Sequence, residues 1–350
     1  MFQKLKHRLK LAYQLLLRGE APVASHREIP SITPEEVAEA RQFFPLDKFF
    51  IFGHARSGTT LLTRLVRLHP RVHCNYQAHF FTRPPLLEAL VADEQVGQWL
   101  RRRSNRWNHG RDLSPLVLRA VADFIMERDA RLAGKAGRGC VVGDKSPNSL
   151  LDDEAVRLML KIYPDARLVF IVRDGRDAVV SHRFQAFIDR QDYISAEDQR
   201  IRNGYIHNPE AFLSGQRSIF TEKGLRNSAL GWAKNVTATH RVARESLGER
   251  YLALRYEDLL AHTWEQMRQL WDFLGADPSA AGMRESLELE MEQNPDADWQ
   301  QQKEARIADS LSKGRRGSWR ELFTPHDRKI FKEAAGQALI EWGYEQNLDW

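Results

Sequence analysis

An apolar run, Lys48-Phe-Phe-Ile-Phe-Gly53, leads into Gly53-His-Ala-Arg-Ser-Gly-Thr-Thr60 and then into a helical pattern. A strand that turns through glycines into a helix aims successive backbone N–H groups, and the positive end of the helix dipole, at one point. An anion binds there. Gly53 and Gly58 keep the glycine spacing of the common nucleotide phosphate loop, but Thr59 stands where that loop carries its lysine. Arg56 supplies the charge from within the loop instead, and Ser57, Gly58, Thr59 and Thr60 add hydroxyls and amides for a phosphate. A glycine pair alone reads more simply as a tight turn, so the ligand reading rests on the motifs downstream.

A second apolar run, Leu168 to Val172, ends in Arg173-Asp-Gly-Arg-Asp-Ala-Val-Val-Ser181. If a helix starts soon after Asp174, Arg173 and Ser181 can grip one anion together. The plainer reading is a surface salt bridge of Arg176 with Asp174 or Asp177. A third basic segment, Ser312-Lys-Gly-Arg-Arg-Gly-Ser-Trp319, offers Lys313, Gly314 and Arg315. Gly143-Asp-Lys-Ser-Pro147 adds Asp144 and Lys145, and Tyr256-Glu-Asp-Leu259 follows a strand pattern. Within His69-Pro-Arg-Val-His-Cys-Asn-Tyr-Gln-Ala-His-Phe-Phe81, Gln77 cannot take a proton, whereas His79 can act as a base near neutral pH.

These segments together resemble the sulfotransferases that use 3′-phosphoadenosine 5′-phosphosulfate (PAPS), particularly the bacterial and tyrosylprotein branches. The resemblance runs from roughly Phe49 to Tyr344. It implies that Arg56 to Thr60 hold the 5′-phosphate, with Arg56 near the scissile oxygen, and that Arg173 and Ser181 hold the 3′-phosphate. Lys313 and Gly314, with Arg315 or Arg316 replacing the guanidinium missing at Ser312, would complete that clamp, Tyr256 would lie near the adenine, and Lys145 would face the transferring group. The reaction implied is sulfuryl transfer from PAPS to a hydroxyl or amine, releasing adenosine 3′,5′-bisphosphate (PAP) and needing no metal. His79 is the first candidate for the base and Asp144 the second. The chain departs from the family pattern at Gly175, where proline is usual, at Ser312 for arginine, at Leu61 for a stacking tryptophan and at Gln77 for a carboxylate.

Two other readings stay open. One is a P-loop ATP-dependent kinase of a small molecule, with Asp174 holding magnesium. The other is a nucleotide-binding protein without catalysis. The acceptor is unspecified among carbohydrate, lipid, peptide tyrosine and small alcohol, with Phe80, Phe81, Arg83 and the segment from His182 to Arg226 as candidate lining.

Positioning such loops requires a doubly wound parallel α/β sheet flanked by helices, in a P-loop-like single domain with a helical insertion. The pattern predicts strands at Lys48–Gly53, Cys140–Val142, Arg167–Val172 and Arg250–Leu254. It predicts helices at Thr59–Leu68, Asp153–Ile162, Asp174–Phe187, Leu225–Leu247, Leu259–Leu274 and from Pro325 to Trp342, the last capped by Thr324. Residues 1–47 read as an N-terminal amphipathic helix and linker and 48–350 as the catalytic domain. Within it, the polar stretch 182–226 resists a strand-helix reading and is a candidate lid or acceptor-site insertion.

Composition bounds the partners. In 350 residues, 52 Lys and Arg face 47 Asp and Glu, a net charge of +5 that suits an anionic ligand but not nucleic acid. Two cysteines, Cys74 and Cys140, sit in no metal-ligand spacing, and the chain reads as cytoplasmic. Phe2, Leu5, Leu9, Tyr13 and Leu16 fall at helical spacing among basic residues. That segment either docks on protein or contacts an anionic membrane surface peripherally. Oligomeric state is not legible.

Overall fold

In the computed structural model, residues 28–82, 86–102, 104, 106–148, 152–189, 194–293, 307 and 316–350 are described here. The N-terminal amphipathic segment, Arg83, Lys313, Gly314 and Arg315 lie outside them.

Five parallel strands form one sheet: β1 (Asp47–Gly53), β2 (Val72–Tyr76), β3 (Val141–Lys145), β4 (Arg167–Val172) and β5 (Tyr251–Arg255), in the order β2-β3-β1-β4-β5. Because successive side chains of a strand face opposite ways, the unbroken apolar run of β1 serves two cores. Phe49 and Ile51 pack with Leu62, Leu65 and Trp271 on one face. Phe50 and Phe52 pack with Tyr163, Phe170 and Trp232 on the other. The sheet is thus buried on both sides, and from β1 at its centre the chain leaves to β2 on one flank, then crosses from β3 to β4 on the other. That divergence opens a crevice beyond the carboxyl ends of the strands.

The structure adds elements that the pattern does not predict. β2 is an edge strand whose polar His73 and Asn75 hide its periodicity. The helix Pro34–Phe43, with a capping box between Thr33 and Glu36, lies inside the expected linker. That segment is built into the body: Ile29 and Ile32 are buried, and Leu46 donates its N–H to the buried Glu127, which also pairs with Lys48 at 2.9 Å. The expected single helix Leu259–Leu274 is two, Tyr256–Ala261 and Thr263–Phe273.

The stretch 182–226 is corrected most. It continues the helix Gly175–Asp189, then forms Ala196–His207 and Glu210–Leu213, and enters the helix Glu222–Leu247. Several of its polar residues are used internally. Arg183 pairs with Asp198, Arg202 donates to the Phe187 carbonyl at 2.9 Å, and Ser195 caps its helix through the Asp198 N–H. Among the described residues no helix is long and apolar enough to cross a membrane.

Candidate functional site

The β1 turn achieves its tight curve with two left-handed residues, Arg56 (φ 68°) and Gly58 (φ 87°). At residue 58 only glycine fits, since a Cβ there would lie 2.3 Å from the Tyr256 ring. The aromatic ring at the end of β5 therefore forms the floor of the phosphate-loop candidate. Ser57 is fully buried and its hydroxyl has no partner among the described residues, an orphan that a ligand oxygen would satisfy. The helix Thr59–Val66 begins directly after the turn and directs its first N–H groups at the same place.

The second motif meets the first. Arg56 donates from Nε to Ser181 Oγ at 3.1 Å, and Arg173 donates to the Arg56 carbonyl at 3.1 Å while its guanidinium stands 5.0 Å from the centre of the Tyr256 ring. Arg56, Arg173, Ser181 and Tyr256 are thus brought to one place. Burial pushes the Tyr256 hydroxyl upward in pKa, and the charges of Arg173, Arg316 and Arg56 oppose that rise. Arg316 belongs to the C-terminal basic segment, so the near end of that segment reaches the site as well.

Three carboxylates that the motifs carry turn out to be struts. Asp177 accepts from Gly317 N at 2.7 Å, Ser318 Oγ at 2.9 Å and Trp319 N at 3.2 Å, fastening the C-terminal segment to the helix that bears Ser181. Glu257 accepts from Asp174 N at 3.1 Å and from the Tyr344 hydroxyl at 2.9 Å. Asp174 turns both oxygens to Arg176, which is buried, also pairs with Glu345, and stacks on Trp319 at 3.9 Å and Trp350 at 4.5 Å. The salt bridge expected for Arg176 therefore exists but is internal. Asp174 does not present the open carboxylate that a magnesium-holding role requires.

On the other flank of β1, Lys145 at the end of β3 is buried and donates to Thr60 Oγ1 at 3.3 Å, with its ammonium 5.3 Å from the centre of the Tyr76 ring. Asp144 beside it is 1% exposed. Its oxygens accept from Ala78 N at 3.0 Å and Ser146 Oγ at 2.8 Å, and burial pushes its pKa up to about 6. Ser146 Oγ in turn accepts from His79 N at 3.0 Å. Of the two candidate bases, Asp144 is thus spent on the backbone of the other's loop. His79 is partly exposed, and burial, then the Lys145 charge, hold its pKa below the ordinary histidine value. Phe80 and Phe81, expected to line an acceptor, are core residues instead. Phe81 packs edge-on against Phe50 and Tyr163.

Sequence reasoning passed over Ser146 and took Asp177 only as a salt-bridge partner of Arg176, whereas it offered Arg316 as an alternative to Arg315. The signal for Asp177 was present: a carboxylate in the first turn of an anion-binding helix repels the ligand unless donors from elsewhere neutralise it.

Comparison with known proteins follows this geometry. A model of the sulfotransferase family matches residues 48–279, the span holding every site residue above except those of the C-terminal segment. A protein-tyrosine sulfotransferase of Drosophila melanogaster is 27% identical over 227 residues, covering 64% of this chain and 37% of the relative. Protein-tyrosine sulfotransferase 1 of Danio rerio is 25% identical over 64% of this chain and 52% of its own length. Protein-tyrosine sulfotransferase A of Caenorhabditis elegans is 26% identical over 64% of this chain and 49% of its own. The matched region spans between about a third and a half of these relatives.

Proposed function

The chain belongs to the sulfotransferase family, and on that premise we propose that it moves the sulfuryl group of PAPS onto a hydroxyl or amine acceptor. The observation that carries the reading is the contact of Arg56 with Ser181, which joins two anion-binding turns into one wall. A nucleotide phosphorylated at both ends suits two anion sites that share a wall, and a nucleotide with phosphates at one end leaves the second site unused.

In this reading PAPS, when bound, supplies the sulfuryl group and a phosphate leaving group. Ser57, Gly58, Thr59 and Thr60 hold the 5′ end through hydroxyls and amides. Arg173 and Ser181, with Arg316 and the neighbouring Lys313, Gly314 and Arg315, hold the 3′-phosphate. Tyr256 supports the loop and offers an aromatic face toward the base. Sulfuryl transfer resembles phosphoryl transfer in gaining most from positioning and from cations placed where charge develops. Arg56 and Lys145 supply those charges in a partly dehydrated site, where each lowers the barrier by about 3 kcal/mol, or ~100-fold in rate. His79, neutral near pH 7, takes the acceptor proton.

The names of the relatives favour the phenolic hydroxyl of a peptide tyrosine as the first acceptor to try. The test is transfer from ³⁵S-labelled PAPS to a tyrosine peptide, a simple sugar, a hydroxylated lipid and 2-naphthol, with products identified by mass spectrometry. Label in one organic product supports the reading. Label only in free sulfate, or phosphate transfer from ATP with magnesium instead, overturns it.

A further inference from the structure

The loop after β2 is bent by two left-handed residues, Gln77 (φ 52°) and His79 (φ 53°), a conformation that side-chain-bearing residues adopt only when neighbours hold it. Three donors of the loop are held by β3 and its extension. Gln77 N donates to Lys145 O at 2.6 Å, Ala78 N to Asp144 Oδ1 and His79 N to Ser146 Oγ. The backbone of His79 is therefore fixed from one side. Its ring is fixed from another: Nδ1 lies 2.7 Å from Oγ1 of Thr82, a side chain fully removed from solvent.

A neutral imidazole carries a single N–H, and the partner of one nitrogen decides what the other can do. If Thr82 accepts, Nδ1 keeps the proton and Nε2 keeps its lone pair. If Thr82 donates, Nε2 carries the proton and cannot act as a base. The ammonium of Lys145 lies close enough to disfavour protonation of the ring, and a cation beside a neutral imidazole favours the tautomer that offers it a lone pair rather than an N–H. With Nδ1 held against Thr82, that lone pair belongs to Nε2.

We propose that Thr82 is a positioning residue that fixes the tautomer of His79, its hydroxyl oxygen accepting from Nδ1–H so that Nε2 is the nitrogen free to take a proton. The proposal deepens the reading of His79 as the base and rests on it for its catalytic meaning. The tautomer itself is independent of any acceptor.

Imidazole ¹⁵N shifts from a long-range ¹H–¹⁵N correlation spectrum at pH 7.5 test it, with His79→Gln used to assign the signal. The expected result is a protonated Nδ1 and bare Nε2 in the parent and in Thr82→Ser, with Thr82→Val moving the ring toward the Nε2–H form. A parent spectrum showing Nε2–H, or one that Thr82→Val leaves unchanged, overturns the proposal. PAP affinity equal to the parent's shows that Thr82→Val keeps the fold.

The kinetic arm uses the tyrosine peptide. Thr82→Val is expected to lower kcat about tenfold, a loss of about 1.4 kcal/mol, with KM for PAPS unchanged, Thr82→Ser near parental, and no further loss when combined with His79→Ala. Equal losses in both backgrounds contradict action through His79. Parental kcat in His79→Ala alone removes the base reading while leaving the tautomer result intact.

Discussion

Arg56 spans from the β1 turn to the helix after β4, its Nε–H meeting Ser181 Oγ at 3.1 Å. Arg173 closes the link in the opposite sense by donating to the Arg56 carbonyl at 3.1 Å. The two turns thus form a wall in which moving one displaces the other, and the expected consequences of breaking it are specific.

Ser181→Ala removes both a partner of Arg56 and a hydroxyl that the proposed function assigns to the 3′-phosphate. A hydrogen bond to a charged group contributes about 1.5–3 kcal/mol, so affinity for PAP should fall at least about tenfold with little change in thermal stability. Calorimetric titration reads this directly. Parental affinity would show that the wall is not part of the nucleotide site.

Gly58→Ala combines two penalties: a backbone at φ 87° and a Cβ 2.3 Å from the Tyr256 ring. The backbone penalty alone is about 1–3 kcal/mol. PAP affinity should fall about 100-fold or more. Adding Tyr256→Ala relieves the clash but not the strain, so affinity should rise above that of Gly58→Ala while staying below that of Tyr256→Ala. Simple additivity of the two changes would contradict the packing described.

Asp177→Ala leaves Gly317, Ser318 and Trp319 without their shared acceptor. Chemical denaturation should show a loss of about 2–3 kcal/mol, and PAP should bind more weakly because the segment carrying Arg316 is no longer fastened. A variant that is destabilised yet binds PAP as tightly as the parent would separate the C-terminal segment from the site.

Asp144 and His54 contribute to the pH dependence of stability in opposite directions. Asp144 is pushed up to about 6 from an ordinary 3.8, so the folded state holds its proton more tightly than the unfolded chain does. Its contribution is full below pH 3.8 and is lost as pH rises through 6, a fall of about 3 kcal/mol at ~1.4 kcal/mol per pH unit. His54 is pushed down to about 4 by burial. Its contribution is full above the ordinary histidine value and is lost as pH falls toward 4. Asp144→Asn should therefore lack the first fall and keep the second. Denaturation curves at pH 4.5 and 7 check this: the parent-minus-variant difference should decrease between the two, and an unchanged difference would contradict the burial assigned to Asp144.

What the sequence reveals of this molecule divides along physical lines. The strands buried on both faces announce themselves as apolar runs, and β1 and β4 begin and end within a residue of expectation. The phosphate turns are legible because backbone geometry demands particular residues at particular spacings, Gly58 most plainly. The helix Ala196–His207 is not legible, because it is mostly polar and is tied down by Asp198 pairing with Arg183 and Arg202 donating to the Phe187 carbonyl instead of by an apolar stripe. Asp144 looks like chemistry in the sequence, and Asp177 like half of a surface ion pair, because a carboxylate in a motif does not declare what it will bond. Only the fold shows Asp144 facing the backbone of Ala78, and Asp177 facing that of Gly317. Thr82, one residue beyond the His69–Phe81 segment, gains its contact with His79 from a bent loop that no local pattern predicts.

The most direct measurement is calorimetric titration of the full chain with PAP and with adenosine 5′-monophosphate in EDTA, and with ATP and magnesium in its absence, repeated on Arg173→Ala. A site that grips both ends of one nucleotide predicts PAP binding about 100-fold tighter than the monophosphate, a gap of about 3 kcal/mol, and near-equal affinities in the variant. Equal affinities in the parent chain, or binding of ATP with magnesium that exceeds that of PAP, would contradict it.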